Sequence, residues 1–143
     1  MPFPRSYQAT DASLNPAAFA LPAAAASSTN STSVDLGTAY SSGLNPRLAP
    51  MEVEVVLPAL TTTQLPNTRT VIYDLQDSSD NATFTDKLSA IGTSTGAGGA
   101  GAAAAAIRIK LPSTTARYFR VQATTSAGTT SCAAASCYVY LRF

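Results

Sequence analysis

The chain has 143 residues, enough for one domain with a hydrophobic core and too few for two comfortable ones. Its 45% hydrophobic content is inflated by alanine, and only 12% of residues are charged, about half the usual share; low charge at this hydrophobicity excludes an ordinary disordered chain. Histidine is absent, which removes Ser-His-Asp and Cys-His nucleophiles, the histidine general base and the usual zinc sites together, so neither an enzyme nor a bound metal or cofactor is expected.

Residues 1–30 are rich in Pro, Ala and Ser and keep no sustained period. They read as a flexible, extended N-terminal arm ahead of a single domain over residues 31–143. Phe19-Ala-Leu-Pro-Ala-Ala-Ala-Ala superficially resembles the apolar part of a signal peptide. Arg5 as the sole cation in front of it, the interrupting Asp11 and the prolines at 2, 4, 16 and 22 argue for an arm instead. Phe3, Arg5, Tyr7, Leu14 and Phe19 are spaced along the arm and are of the types that anchor interfaces, which marks them as candidate docking residues.

Ser33-Val-Asp-Leu-Gly opens the domain. Met51–Leu57 alternates, with Met51, Val53, Val55 and Leu57 inward and Glu52 and Glu54 outward, and stops at Pro58. Thr70–Leu75 predicts a second strand, closed by the turn-rich Asp77-Ser-Ser-Asp-Asn, and Thr83-Phe-Thr a short third. Gly92–Ala106 is of Gly/Ala low complexity and reads as a long mobile loop. Ile107–Leu111 alternates again, and Arg117–Thr124 and Cys137–Phe143 predict the last two strands. Short strands, frequent turn signals and no amphipathic helix predict an all-β domain, an antiparallel β-sandwich of jelly-roll type. No apolar run is long enough to span a bilayer, so no membrane partner is expected.

The motifs that mimic chemistry have simpler readings. Gly96-Ala-Gly-Gly-Ala-Gly101 matches a dinucleotide fingerprint, but no clear strand precedes it, a strand rather than a helix follows, and no acid lies beyond Asp86. Glu52 and Glu54 are neighbours on one strand face, whereas a catalytic pair must flank a bond across a cleft. Asp74, Asp77 and Asp80 lack the glycine and closing glutamate of a calcium loop and read as turn formers. Cys132 and Cys137 would close a small disulfide loop if their Cα atoms approach within about 7 Å; two buried free thiols are the alternative. All eight carboxylates lie at or before Asp86, and six of the nine cations lie after it. Either early and late strands interleave and neutralise each other, or a basic face docks on an acidic partner. Six scattered cations are too few to predict a nucleic-acid partner.

In chain order, Asn30-Ser-Thr-Ser-Val-Asp-Leu-Gly, the alternating Glu52–Leu57 strand, Tyr73-Asp-Leu-Gln-Asp-Ser-Ser-Asp-Asn-Ala, and Arg117-Tyr-Phe-Arg-Val before a Gly-Thr turn resemble the capsid cement (decoration) proteins of tailed phages. The resemblance covers roughly Asn30 to Phe143. It implies a jelly-roll-like fold, a homo-oligomer with a dimer favoured, and no catalytic residues. It also implies a place on the outer surface of the virion, bound to the major capsid protein after assembly in the host cytoplasm. The alanine-rich insert before Ile107 and the cysteine pair depart from the family pattern and leave that loop without an implied role. A virion- or cell-surface attachment module of the head-fibre type would share the composition.

Overall fold

The computed structural model describes residues 18–37, 39–40 and 51–142. Within them lie nine strands: β1 (Phe19–Ala20), β2 (Ser28–Asn30), β3 (Val34–Asp35), β4 (Glu52–Leu57), β5 (Thr70–Ser78), β6 (Thr85–Thr95), β7 (Ala105–Lys110), β8 (Tyr118–Thr125) and β9 (Ser136–Arg142). They form two antiparallel sheets. One has the order β1-β9-β4-β7, and the other has the order β2-β8-β5-β6, with β3 also on β8. β2 and β3 are one edge split at Ser31, which donates its own N–H to the Val121 carbonyl while its Oγ accepts the Val121 N–H. Apart from the split β2–β3 edge and the β5–β6 hairpin, every connection carries the chain to the opposite sheet. That winding is the jelly roll the sequence predicts.

The period-2 segments explain the core. Val53, Val55 and Leu57 from β4 and Cys137, Val139 and Leu141 from β9 face Val71, Tyr73 and Leu75 from β5 and Phe119, Val121 and Ala123 from β8. Each buried Val, Leu or Phe contributes about 1.5–3 kcal/mol of transfer free energy. Leu21, Val34, Leu60, Leu65 and Leu111 also belong to this core.

The structure moves three boundaries. Residues 18–30 belong to the domain rather than to an arm. Phe19 pairs with Cys137 and Ser28–Asn30 pair with Thr124–Gln122, while Phe19 and Leu21 turn inward and Ala20 outward. Two- and three-residue strands are too short to show a period, and they owe their conformation to a long neighbour. The remainder of the expected arm, residues 1–17, lies outside the described residues.

The second correction concerns β6, at eleven residues the longest strand, where only Thr83-Phe-Thr was expected. Its register shifts against β5: Tyr73 pairs with Gly92 and Leu75 with Leu88, so Ser89, Ala90 and Ile91 stand opposite Asp74 alone. Ala90 has φ +52° and donates its N–H to Asp74 Oδ1 at 2.6 Å. Such a bulge erases the alternation that would reveal a strand.

Third, Gly92–Ala106 is not a slack loop. Its ends belong to β6 and β7, and its centre is tied down. The Gly96 N–H donates to the Arg69 carbonyl, Thr68 N–H donates to the Gly96 carbonyl, and Leu60 and Ala102 exchange both backbone bonds. Gly101 has φ +73°, and a Cβ there would fall 1.9 Å from the Leu60 carbonyl oxygen. This alanine-rich stretch is therefore a shaped connector that only glycine can complete at position 101.

Candidate interaction surfaces

The charge asymmetry resolves by interleaving. Arg117 forks onto Asp35 with two 2.8 Å bonds, Arg142 Nε donates to Glu54 at 2.6 Å, Arg108 reaches Glu54 at 3.4 Å and Glu52 at 3.8 Å, and Lys87 pairs with Asp77 at 3.4 Å. The topology sets early acids beside late bases, so most of the charge asymmetry among the described residues is neutralised within the domain.

These pairs add some acid sensitivity to the fold. The Arg117 hydrogen bonds hold Asp35 below the usual carboxylate range, and the Arg142 bond does the same for Glu54. Backbone N–H groups of Thr83 and Ala82, together with the Ser78 hydroxyl, lower Asp80 to about 2. Because each pKa is lower folded than unfolded, the stabilisation is complete above the unfolded values and is lost as pH falls through the folded ones. The melting temperature is therefore expected to be level above about pH 5 and to decline modestly between about pH 4 and 2, because these groups are open to solvent and screened. Asp80→Asn should flatten part of that fall in a pH series of thermal melts.

The two outer faces differ in how far they satisfy themselves. On the β2-β8-β5-β6 sheet, Gln76 is buried and is bonded to Arg120, which stacks on Phe84. Arg120 Nε donates to Gln76 Oε1 at 2.8 Å with its Cζ 4.1 Å from the Phe84 ring centroid. Gln76 Nε2 donates onward to Asp86 at 2.8 Å and Gln122 at 3.3 Å, and Gln122 Nε2 to Asn30 at 3.0 Å. The polar groups of that face are largely committed to one another.

The β1-β9-β4-β7 sheet presents a different face. Register sets Val56 between Ala106 and Tyr138, Glu54 between Arg108 and Tyr140, and Glu52 between Lys110 and Arg142. Tyr138 and Tyr140 stand parallel, their ring centroids 6.4 Å apart with planes 6° from alignment, and Arg142 Cζ lies 4.9 Å from the Tyr140 ring centroid. Tyr138 is 44% exposed. Among the described residues neither of these tyrosine hydroxyls has a hydrogen-bond partner within the chain. One half of the face is therefore small and apolar around Tyr138, and the other half is a charged network. A solvent-facing Tyr/Arg cluster over small apolar residues is the composition of an interface centre.

Neither a family model nor a curated protein matches the sequence.

The sequence-predicted site residues fall elsewhere. Phe3, Arg5, Tyr7 and Leu14 lie outside the described residues. Phe19, expected to dock on a partner, is 7% exposed and belongs to the core, so it is not a docking residue. Cys132 and Cys137 are free and buried. Cys137 lies opposite Phe19, whereas the Cys132 N–H donates to the Pro22 carbonyl, three residues further along. Burial raises both thiol pKa values, that of Cys137 to about 12, which leaves them protonated and unreactive. Tyr73 is buried between the sheets, and among the described residues its hydroxyl lacks a well-formed partner, although the Ser94 hydroxyl partly opposes the rise in its pKa that burial causes. The exposed Tyr138–Tyr140–Arg142 row was not singled out from the sequence. Its signal was present in the alternation of the last strand, whose polar-side residues are aromatic.

Proposed function

We propose that this chain is a capsid cement protein, which decorates the outer surface of an assembled phage shell by binding the major capsid protein and acts as a homo-oligomer without catalysis. A jelly roll alone supports many functions. The observation that carries the reading is the outer face of the β1-β9-β4-β7 sheet, where Tyr138, Tyr140, Val56 and Ala106 form a partly apolar patch bordered by Arg108 and Arg142. Exposed tyrosines beside arginines are residue types that anchor interfaces, and modest contacts repeated over symmetric copies stabilise a shell through avidity.

The test is cosedimentation of the purified chain with empty capsids of the phage that carries its gene. The full chain is expected to pellet saturably with capsids. The Tyr138→Ser/Tyr140→Ser variant should bind at least about tenfold more weakly with an unchanged melting temperature, since hot-spot tyrosines contribute about 2 kcal/mol or more each. Removal of residues 1–17 tests the arm separately and spares β1; a cut at Ala20 would remove Phe19 from the core. Equal decoration by the tyrosine variant would exclude this face. Binding to host envelopes and not to capsids would favour the attachment reading.

A further inference from the structure

Both sheets have edges, and three of the four are blunted. β1 has two residues, β2 and β3 are interrupted at Ser31–Ser33, and β6 carries the bulge at Ala90. The fourth edge, β7, is six residues long and in unbroken register with β4. The Leu111 N–H donates to the Met51 carbonyl. By antiparallel alternation, Ile109, Ile107 and Ala105 therefore also turn their backbone groups toward β4. Ala106, Arg108 and Lys110 then turn their N–H and C=O groups outward, where no described strand meets them. On the outer face this edge carries Arg108 and Lys110, and on the inner face Ile107 and Ile109 are only partly buried. Lys110 makes no ion pair among the described residues.

The strand already paired with β7 shows what such an edge accepts. β4 sets Glu52 opposite Lys110, Val53 opposite Ile109, Glu54 opposite Arg108 and Val55 opposite Ile107. We infer that the free edge of β7 is an acceptor for an extended segment of a partner protein in which acidic and apolar residues alternate, added as a further antiparallel strand. Its main-chain groups would pair with Ala106, Arg108 and Lys110, its carboxylates with the two cations, and its apolar residues would cover Ile107 and Ile109. The inference does not depend on that partner being a capsid.

The probe is a fluorescein-labelled peptide with the sequence of residues 51–57, Met-Glu-Val-Glu-Val-Val-Leu, titrated with the full chain and followed by anisotropy. Saturable binding is expected. Ala106→Pro should weaken it at least tenfold while the melting temperature stays within a few degrees, because the lost N–H faces solvent and an edge strand tolerates proline there. Lys110→Glu supplies a second variant that leaves the backbone alone. It should weaken the acidic peptide and strengthen one with lysine in place of both glutamates. Absence of binding to the unaltered chain, or binding indifferent to both variants, overturns the proposal, and the two cations then serve only to repel other strands. So does sedimentation showing that the chain associates with itself until Ala106→Pro abolishes it, since a second copy would then occupy the edge.

Discussion

Val121→Asp is expected to yield no folded protein. Val121 is fully buried on β8, opposite Leu75 of β5, and its backbone N–H and carbonyl are both held by Ser31 at the sheet edge. A carboxylate there enters an apolar layer with no cation to meet it. Burying such a charge, or protonating it to avoid doing so, costs several kcal/mol against a total stability of about 5–15. Circular dichroism should show no cooperative melt, and the protein should be recovered in the insoluble fraction. Val53→Asp should behave alike, since Val53 is equally buried. Ile109→Asp should not. Alternation alone puts all three residues in one class, but Ile109 sits on an edge strand and keeps partial access to water. That variant is expected to fold with a lower melting temperature. A Val121→Asp protein melting like the unaltered chain would mean that β8 has been given the wrong face.

The contrast between Val121 and Ile109 shows what sequence reading reached and what it missed. β4, β5, β7, β8 and β9 were legible because each buries one face, so Val53, Val55, Val71, Tyr73, Phe119 and Val139 recur every second residue. The jelly-roll class followed from those strands and their turns. β6 was not legible: Thr85–Thr95 lies mostly at the surface, and its register shifts break what period it has. β1 and β2 were invisible because pairing with β9 and β8, not composition, makes them strands. Site reading failed for a related reason. Phe19 was read as an anchor because its neighbours are Pro and Ala, and only the pairing with Cys137 shows that it turns inward. Tyr138 and Tyr140 were counted as part of a strand, and nothing in one sequence says that β4 lays Val56 and Glu54 beside them.

Removing Gly96–Gly101 is expected to lower the melting temperature by about 5–15 °C, although the composition of this segment reads as a dispensable tether. The chain could still be joined. Residues 102–104 would remain between Thr95 and Ala105, and about 13 Å of extended chain can cross the roughly 10 Å between packed sheets. Shortening the loop would even recover a little closure entropy, about 1 kcal/mol. The loss comes from what the segment holds. Gly96 exchanges bonds with Thr68 and Arg69, Ala97 is closed onto Gly101, the Gly99 N–H donates to Asn67 Oδ1 at 2.9 Å, and Thr62 Oγ1 donates to the Gly99 carbonyl at 2.6 Å. Together they fasten the 60–69 turn, whose Leu60 and Leu65 belong to the core. At about 0.5–1.5 kcal/mol for each bond, discounted because several face water, the sum is about 2–5 kcal/mol. A domain of this size loses about 2–4 °C per kcal/mol, which gives the stated range. Part of the loss is offset at Thr68, a β-branched residue at φ +69° whose N–H bond to Gly96 holds it in a costly conformation. Differential scanning calorimetry of the deletion beside Gly98→Ala separates the two views. Gly98 has a positive φ but open space around it, so alanine there should cost only about 1 kcal/mol. A deletion that melts within a few degrees of the unaltered chain would show that the fold does not depend on these bonds.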